Sequence, residues 1–402
     1  MKAVKIIGSI LAVIVLIAAV TAIVNVNVVK SGVEYAKSFE KVEYENQLVP
    51  QKDADGYWTF NTDEDLNILQ ITDFHIGGGW LSADEDKKAL NAVAAMITEE
   101  KPDLVVLTGD MVFPVPYSAG TLNNKNSTNM VISLMESLGV YYTACFGNHD
   151  TEIYSYYSRE DISDVWGASD LKYSLYQPGP GYIDGYGNHV IKVKNSDGIV
   201  KNAYFFLDSH SYTDGDYLGI FWKYDSIKES QINWYKKNVE AIDRANKAVD
   251  PQCPLFTSLA FFHIPLEEYE FAWNELRENG YKDTENAKLI SGGFHEKDET
   301  VYHGMHSEEF FETVHSLGST KGIFVGHDHI NNAVLEYKGV KLVYGNSIDY
   351  LAYAGIDKEG SQRGCTLITL TQDGELSVEL SNYYQDKYQS KYEKEEVTMQ
   401  WQ

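Results

Sequence analysis

Carboxylates and imidazoles gather in five short segments: Asp73-Phe74-His75, Gly109-Asp110, Gly147-Asn148-His149-Asp150, Phe262-His263 and Gly326-His327-Asp328-His329. They offer hard oxygen and imidazole nitrogen donors and no thiolate. That set suits Zn, Mn, Fe or Mg and argues against a structural zinc knot. In Asp73-Phe74-His75 and His327-Asp328-His329 the outer residues stand two apart. On an extended chain they face one side, so each segment can present two ligands to one centre. Taken singly, His263 after an apolar run reads as a core histidine and Asn148 as a turn residue. Five such blocks, each behind an apolar run, read instead as a two-metal site.

The elements that must position these blocks are legible as hydrophobic patterns. A strand over 66–72 delivers Asp73. A helix over 84–100 starts on acids and repeats Ala89, Val93, Met96 and Ile97 at helical spacing. Pro102 ends it, and the apolar run 104–107 delivers Asp110. A helix over 129–138 and a strand over 141–146 follow, which makes the first half an α/β layered unit. Segments 173–176, 189–194 and 203–207 pattern as antiparallel strands, with Asn195-Ser196-Asp197-Gly198 as a hairpin turn. A helix over 226–245 precedes the strand 255–262, which delivers His263. Residues 276–306 pattern as a polar insertion carrying His295, His303 and His306. A helix over 307–317, the strand 322–325 before Gly326, and strands at 334–337, 341–344, 365–370 and 376–380 complete a second sheet. Residues 30–65 read as linker and lead-in with a short strand at 56–60, and 383–402 as a loose polar tail. In open α/β sheets, sites form at the carboxyl ends of strands. All five blocks occupy such ends.

The order D-x-H, GD, GNH[DE], lone H, GHxH resembles the calcineurin-like metallophosphoesterases, with every block present across residues 66–350. Within that family the chain is most similar to the purple-acid-phosphatase-like branch. Phe261-Phe262-His263-Ile264-Pro265-Leu266, Phe206-Leu207-Asp208-Ser209 and Ser230-Gln231-Ile232-Asn233-Trp234 carry that likeness. The resemblance implies an α/β fold over 66–382, a four-layer αββα sandwich of two mixed sheets flanked by helices. It implies two divalent ions. Asp73, His75, Asp110 and His329 would hold the first, and Asp110, Asn148, His263 and His327 the second. Asp110 would bridge ions about 3.5–4 Å apart. A hydroxide held between them would attack phosphorus in line. His149, outside the ligand count, would touch a phosphate oxygen or protonate the leaving group. Asp150 and Asp328 would form hydrogen bonds behind the ligands and fix their tautomers. His295 and His303 match no block. They read as solvated loop residues or, in a loop over the metals, as substrate contacts. One position departs from the purple enzymes: Phe113 stands where they carry a tyrosine, so the phenolate of a purple iron(III) centre is missing. The metals stay open among Mn, Fe, Zn and Mg.

Bulk properties set the surroundings. Lys and Arg number 33 against 59 Asp and Glu, a formal charge of −26 that opposes nucleic-acid binding and adhesion to anionic lipid. Bound metals can still give such a protein an anionic substrate. Cys145, Cys253 and Cys365 form neither a disulfide framework nor a CxxC motif. Lys2 and Lys5 precede 24 residues, 6–29, without a charge. As a helix that stretch spans about 36 Å, enough for a membrane anchor with the rest of the chain outside the cytoplasm. Val20-Thr21-Ala22 offers a cleavage site if the segment is a signal and the chain is secreted. A buried core helix is the third reading. The function that follows is dimetal hydrolysis of a phosphate-ester substrate outside the cytoplasm. The competing functions are an intracellular phosphoserine/phosphothreonine protein phosphatase and an anchored protein that binds a phosphorylated ligand without turnover.

Overall fold

Strand and helix alternate from residue 66 onward because apolar runs of four to six residues are separated by amphipathic stretches. In this computed structural model, which describes residues 2–305, 308–353, 356 and 363–394, that alternation builds two facing sheets. Helix α1 (Lys2–Ala36) leads to β1 (Gln51–Lys52) and β2 (Trp58–Asn61). Then come β3 (Leu66–Ile71), α2 (Ala83–Glu100), β4 (Leu104–Thr108), α3 (Asn124–Leu138), β5 (Tyr142–Cys145) and α4 (Arg159–Trp166). The second half holds β6 (His189–Lys194), β7 (Val200–Phe206), α5 (Glu229–Val249), β8 (Thr257–Phe261), α6 (Glu267–Glu278) and β9 (Ala287–Ser291). It ends with α7 (Glu308–Leu317), β10 (Thr320–Val325), β11 (Val334–Tyr337), β12 (Val340–Tyr344), β13 (Gly364–Leu370) and β14 (Leu376–Asn382).

The smaller sheet runs β14-β13-β3-β4-β5, and the larger runs β1-β2-β6-β7-β8-β10-β12-β11-β9. β3, β4 and β5 are mutually parallel, as are β7, β8, β10 and β12. Every metal-ligand block therefore leaves its sheet in a common direction. Phe206, Phe261 and Phe324 stack between the sheets at centroid separations of 5.3 and 5.0 Å. Ile68, Val106 and Ile368 of the smaller sheet close the same layer. Helices α2, α3 and α4 cover the outer face of the smaller sheet, while α5, α6 and α7 cover that of the larger. This is the expected αββα sandwich of two mixed sheets.

Several local expectations need correction. α3 begins five residues earlier than its apolar pattern, because its polar first turns are buried and bonded to loops. Asn124 Nδ2 donates to the carbonyls of Asp150 and Tyr157 at 3.0 and 2.9 Å, and Ser127 donates to Gly77 O. Segment 173–176 is no strand; only Ser174 bridges to Tyr142. The polar insertion includes the end of α6 and the edge strand β9, whose exposed face hides its strand character from a hydropathy reading. The tail folds back: Tyr383 and Tyr388 are buried, and Asn91 of α2 holds Lys391 N at 2.9 Å. His306 lies outside the described residues.

The amino-terminal segment is also revised. Residues 6–29 belong to α1, and its last turns are not linker but part of the domain. Val29, Val33 and Ala36 pack on the core beneath α2 and α3, and Asn25 Oδ1 accepts from Trp80 N at 3.0 Å. Among the described residues, no helix is long and apolar enough to cross a membrane. Part of the apolar character of α1 thus serves packing, although Ile10, Leu11, Leu16 and Ile23 are exposed.

Phe261 sits at the middle of the aromatic stack, so Phe261→Ala should destabilise the protein by about 3–5 kcal/mol. Urea unfolding of the purified variant measures this; a loss below about 1 kcal/mol would contradict the packing described.

Candidate metal centre

Each block is placed by a strand end and then bent out of the strand direction. Asp73, His75, Asp110 and His327 adopt φ of 51, 50, 52 and 78°, a left-handed conformation uncommon for such residues. The bends are held by hydrogen bonds. Asp73 N and His75 N donate to Gly109 O and Asp110 O at 3.1 and 3.0 Å, which ties the β3 and β4 ends together. His327 N donates to Asp73 Oδ2 at 3.1 Å, joining the larger sheet to the smaller. Gly147 has to be glycine. A Cβ there would lie 2.2 Å from Asp110 Oδ1.

The result is two clusters sharing one carboxylate. Ligating atoms of Asp73, His75, Asp110 and His329 lie within 4.8 Å of one another, and so do those of Asp110, His263 and His327. Asp110 Oδ2 is 3.6 Å from His75 Nε2 and 3.1 Å from His263 Nε2. His329 Nε2 is 3.5 Å from Asp73 Oδ1, and His327 Nδ1 is 3.3 Å from His263 Nε2. Asn148 enters through its amide: Nδ2 donates to Tyr212 OH at 3.1 Å, while Oδ1 is buried without a hydrogen-bond partner. Asp110 Oδ2 and His75 Nε2 are likewise buried without a hydrogen-bond partner. Leaving such atoms unpaired is costly. A divalent cation satisfies them, so these residues fit a dimetal centre.

Electrostatics agree with that fit. Burial opposes charge on His75, yet Asp349 and Asp110 outweigh it and hold its pKa well above the ordinary value. Burial also opposes charge on His263, but Asp110 lifts it to about 9. For Asp110, burial is overcome by His263 and His149, which hold the carboxyl well below its usual range. His327 goes the other way, pushed well down by burial and by His263. The protein has gathered more imidazoles around its carboxylates than can all be charged.

Residues behind this set divide the expected work differently. Asp150 is buried and accepts from the backbone N–H groups of Gly147, Asp110 and Val112 at 2.7, 3.1 and 3.2 Å. It fixes the loops that carry the ligands and no ring tautomer. Asp328 accepts from Tyr344 OH at 2.6 Å and from Asn331 Nδ2 at 3.2 Å, again touching no imidazole. Tautomers are set elsewhere. His263 Nδ1 faces Thr108 O at 2.9 Å, and Asp349 reaches His75 Nδ1 at 3.4 Å and His329 Nδ1 at 3.1 Å.

Asp349 was missed by sequence reasoning. Its signal was available: it follows β12, a strand parallel to β10, at the same sheet edge. Glu152 was missed too; its Oε1 holds His149 Nδ1 at 2.8 Å and accepts from Tyr212 OH at 3.0 Å. Arg159 braces this corner, pairing with Asp208 and donating to Gly147 O at 2.8 Å. His303 instead faces acids at the start of α6, 3.4 Å from Glu270 and 3.9 Å from Glu267. His295 is half-buried beside Asn332. Neither of these two histidines is brought into the two clusters.

The comparisons with known proteins agree with this geometry. The family model described as calcineurin-like phosphoesterase matches residues 66–354. The chain belongs to the calcineurin-like phosphoesterase family. It is 29% identical over 337 residues to an Arabidopsis thaliana protein named "Probable inactive purple acid phosphatase 29", covering 77% of this chain and 78% of that one. It is 31% identical over 229 residues to "Phosphatase DCR2" of Saccharomyces cerevisiae, covering 52% of this chain and 36% of that one. A dimetal phosphatase from Danio rerio has the same fold, with a TM-score of 0.50 at 11% identity over 80% of this chain and 97% of that one.

Two outcomes follow for this calcineurin-like chain. Asp349→Asn keeps the side-chain volume but removes the charge facing His75 and His329. Metal affinity should fall about 10–100-fold in a competition titration, and an unchanged affinity would contradict the orienting role of Asp349. Separately, the raised pKa values mean that His75 and His263 are protonated in the metal-free protein at neutral pH. Metal must displace those protons, so affinity should rise with pH up to about 9, the value for His263. Calorimetry in buffers of different ionisation enthalpy should register proton release; uptake without release would refute it.

Proposed function

We propose that this chain hydrolyses phosphate esters with two divalent ions as cofactor. The observation that carries the reading is the complete donor set around Asp110, with buried Asp110 Oδ2 and Asn148 Oδ1 lacking any hydrogen-bond partner. Asp73, His75, Asp110 and His329 would hold one ion; Asp110, Asn148, His263 and His327 would hold the other. When bound, such ions supply charge for the phosphate oxygens and lower the pKa of water at the site. His149 then works from outside the ligand set. Glu152 fixes its Nδ1, which leaves Nε2 to hold a phosphate oxygen or to pass a proton to the departing oxygen. Phe113 packs edge-on to both His75 and His149, at centroid separations of 5.4 and 4.9 Å. It shields the site without supplying a phenolate.

The plant relative carries "inactive" in its name, the yeast relative "phosphatase". The retained donor set and the held His149 favour turnover here. The proposal includes location: a membrane-held or secreted chain with its site outside the cytoplasm. Lys2 and Lys5 before 24 uncharged residues support it, as do the exposed apolar side chains of α1. Sedimentation of activity with membranes, resistant to salt and released by detergent, is expected of the retained form. Activity confined to the cytosol would overturn this part.

For the chemistry, His149→Ala should keep its metals yet slow hydrolysis of an alkyl phosphate by roughly 10²–10⁴. p-Nitrophenyl phosphate, whose leaving group needs no proton, should lose much less. Equal losses on both would reject proton transfer and leave phosphate binding as the role of His149. Phosphate binding without turnover by the metal-loaded wild type would establish the non-catalytic alternative.

A further inference from the structure

A cavity of about 510 Å³ opens beside His149, and the proposed chemistry leaves it unassigned. Phe113, Tyr154, Tyr212 and Leu218 line it together with His149 and Glu152, and among the described residues no lysine or arginine does. The cavity adjoins the metal centre through two lining residues. Phe113 is in ring contact with His75, and Tyr212 OH bonds to Asn148. A substrate phosphate held at the metals would therefore project its ester group past His149 into this space. Without a cationic side chain among its described lining residues, the cavity disfavours a polyanionic leaving group, such as a nucleotide.

The second observation is a carboxylate oxygen. Glu152 is 7% exposed. Its Oε1 accepts from His149 and Tyr212, while its Oε2 is buried and has no hydrogen-bond partner. Glu152 lines the cavity, and the charge of its carboxylate favours a cation there over an anion. Aromatic faces attract the same kind of group.

Resting on the phosphoesterase reading, we propose that this cavity receives the leaving group. The substrate would be a phosphate monoester of an alcohol with a compact apolar body and an ammonium group. Hydrolysis forms a bond from the water oxygen to phosphorus as the bond from phosphorus to the alcohol oxygen breaks. The departing oxygen keeps the electron pair and takes its proton through His149. The proton that water loses balances the one the alcohol gains, and no other reactant is needed.

Three esters assayed on the metal-loaded full chain separate charge from shape: phosphocholine, its uncharged isostere 3,3-dimethylbutyl phosphate, and the anionic 3-(phosphonooxy)propanoate. The expected kcat/KM falls in that order, with phosphocholine roughly tenfold or more above its isostere. Leu218→Lys, a change at an exposed position, should collapse that ratio to about one or below. Equal rates for the cationic and uncharged esters, or a faster anionic ester, would overturn the proposal. If no ester is hydrolysed, p-nitrophenyl phosphate included, the phosphoesterase reading fails by itself. Calorimetry then judges the cavity alone: choline binding more tightly than 3,3-dimethylbutan-1-ol sustains it, and equal binding refutes it.

Discussion

Asp110 is a fully buried carboxylate, and a buried charge must be neutralised where it stands. Its Oδ1 accepts the backbone N–H of His149 at 2.7 Å, which leaves Oδ2 among imidazoles. The rest of the site depends on this requirement. Bringing His75, His263 and His149 to one carboxylate means that the ends of β3, β4, β5 and β8 must converge. Parallel pairing within each sheet and the aromatic layer between sheets make that convergence rigid. Its cost is visible in the backbone, where four proposed ligands take left-handed angles. Such strain persists only where the surroundings over-determine it.

Around that point the structure separates two tasks. Six side chains gather at the shared centre, and their supports are carboxylates and carbonyls that allow little rotation: Asp349 behind His75 and His329, Thr108 O behind His263, Asp150 behind the loops. His149 belongs to a different network, running through Glu152 and Tyr212 to the cavity. The two networks meet at Asn148, whose amide bonds Tyr212 with one atom and leaves the other buried without a hydrogen-bond partner.

The strands that deliver the ligands were legible in the sequence because buried parallel strands are short segments rich in apolar residues. β3, β4, β8 and β10 were placed to within three residues for that reason. Elements stabilised by tertiary bonds were not legible: the polar start of α3, the edge strand β9, and the tyrosines of 383–394 that pack beneath α2. The same division holds at the centre. Residues inside a compact block, such as His327 and His329, stood out, whereas Asp349 lies alone, 20 residues beyond His329, and only the sheet brings it back. Segment 173–176 shows the opposite error, a strand-like pattern for which the sheet offers one bridge and no ladder.

Both proposed metal positions depend on one buried carboxylate, Asp110. Metal content per chain, measured by elemental analysis after loading and desalting the wild type and Asp110→Ala, tests this dependence most directly. About two ions are expected for the wild type and loss of both in the variant, since each proposed position takes a ligand from Asp110. A variant that keeps both ions, or a wild type that never holds more than one, would contradict it.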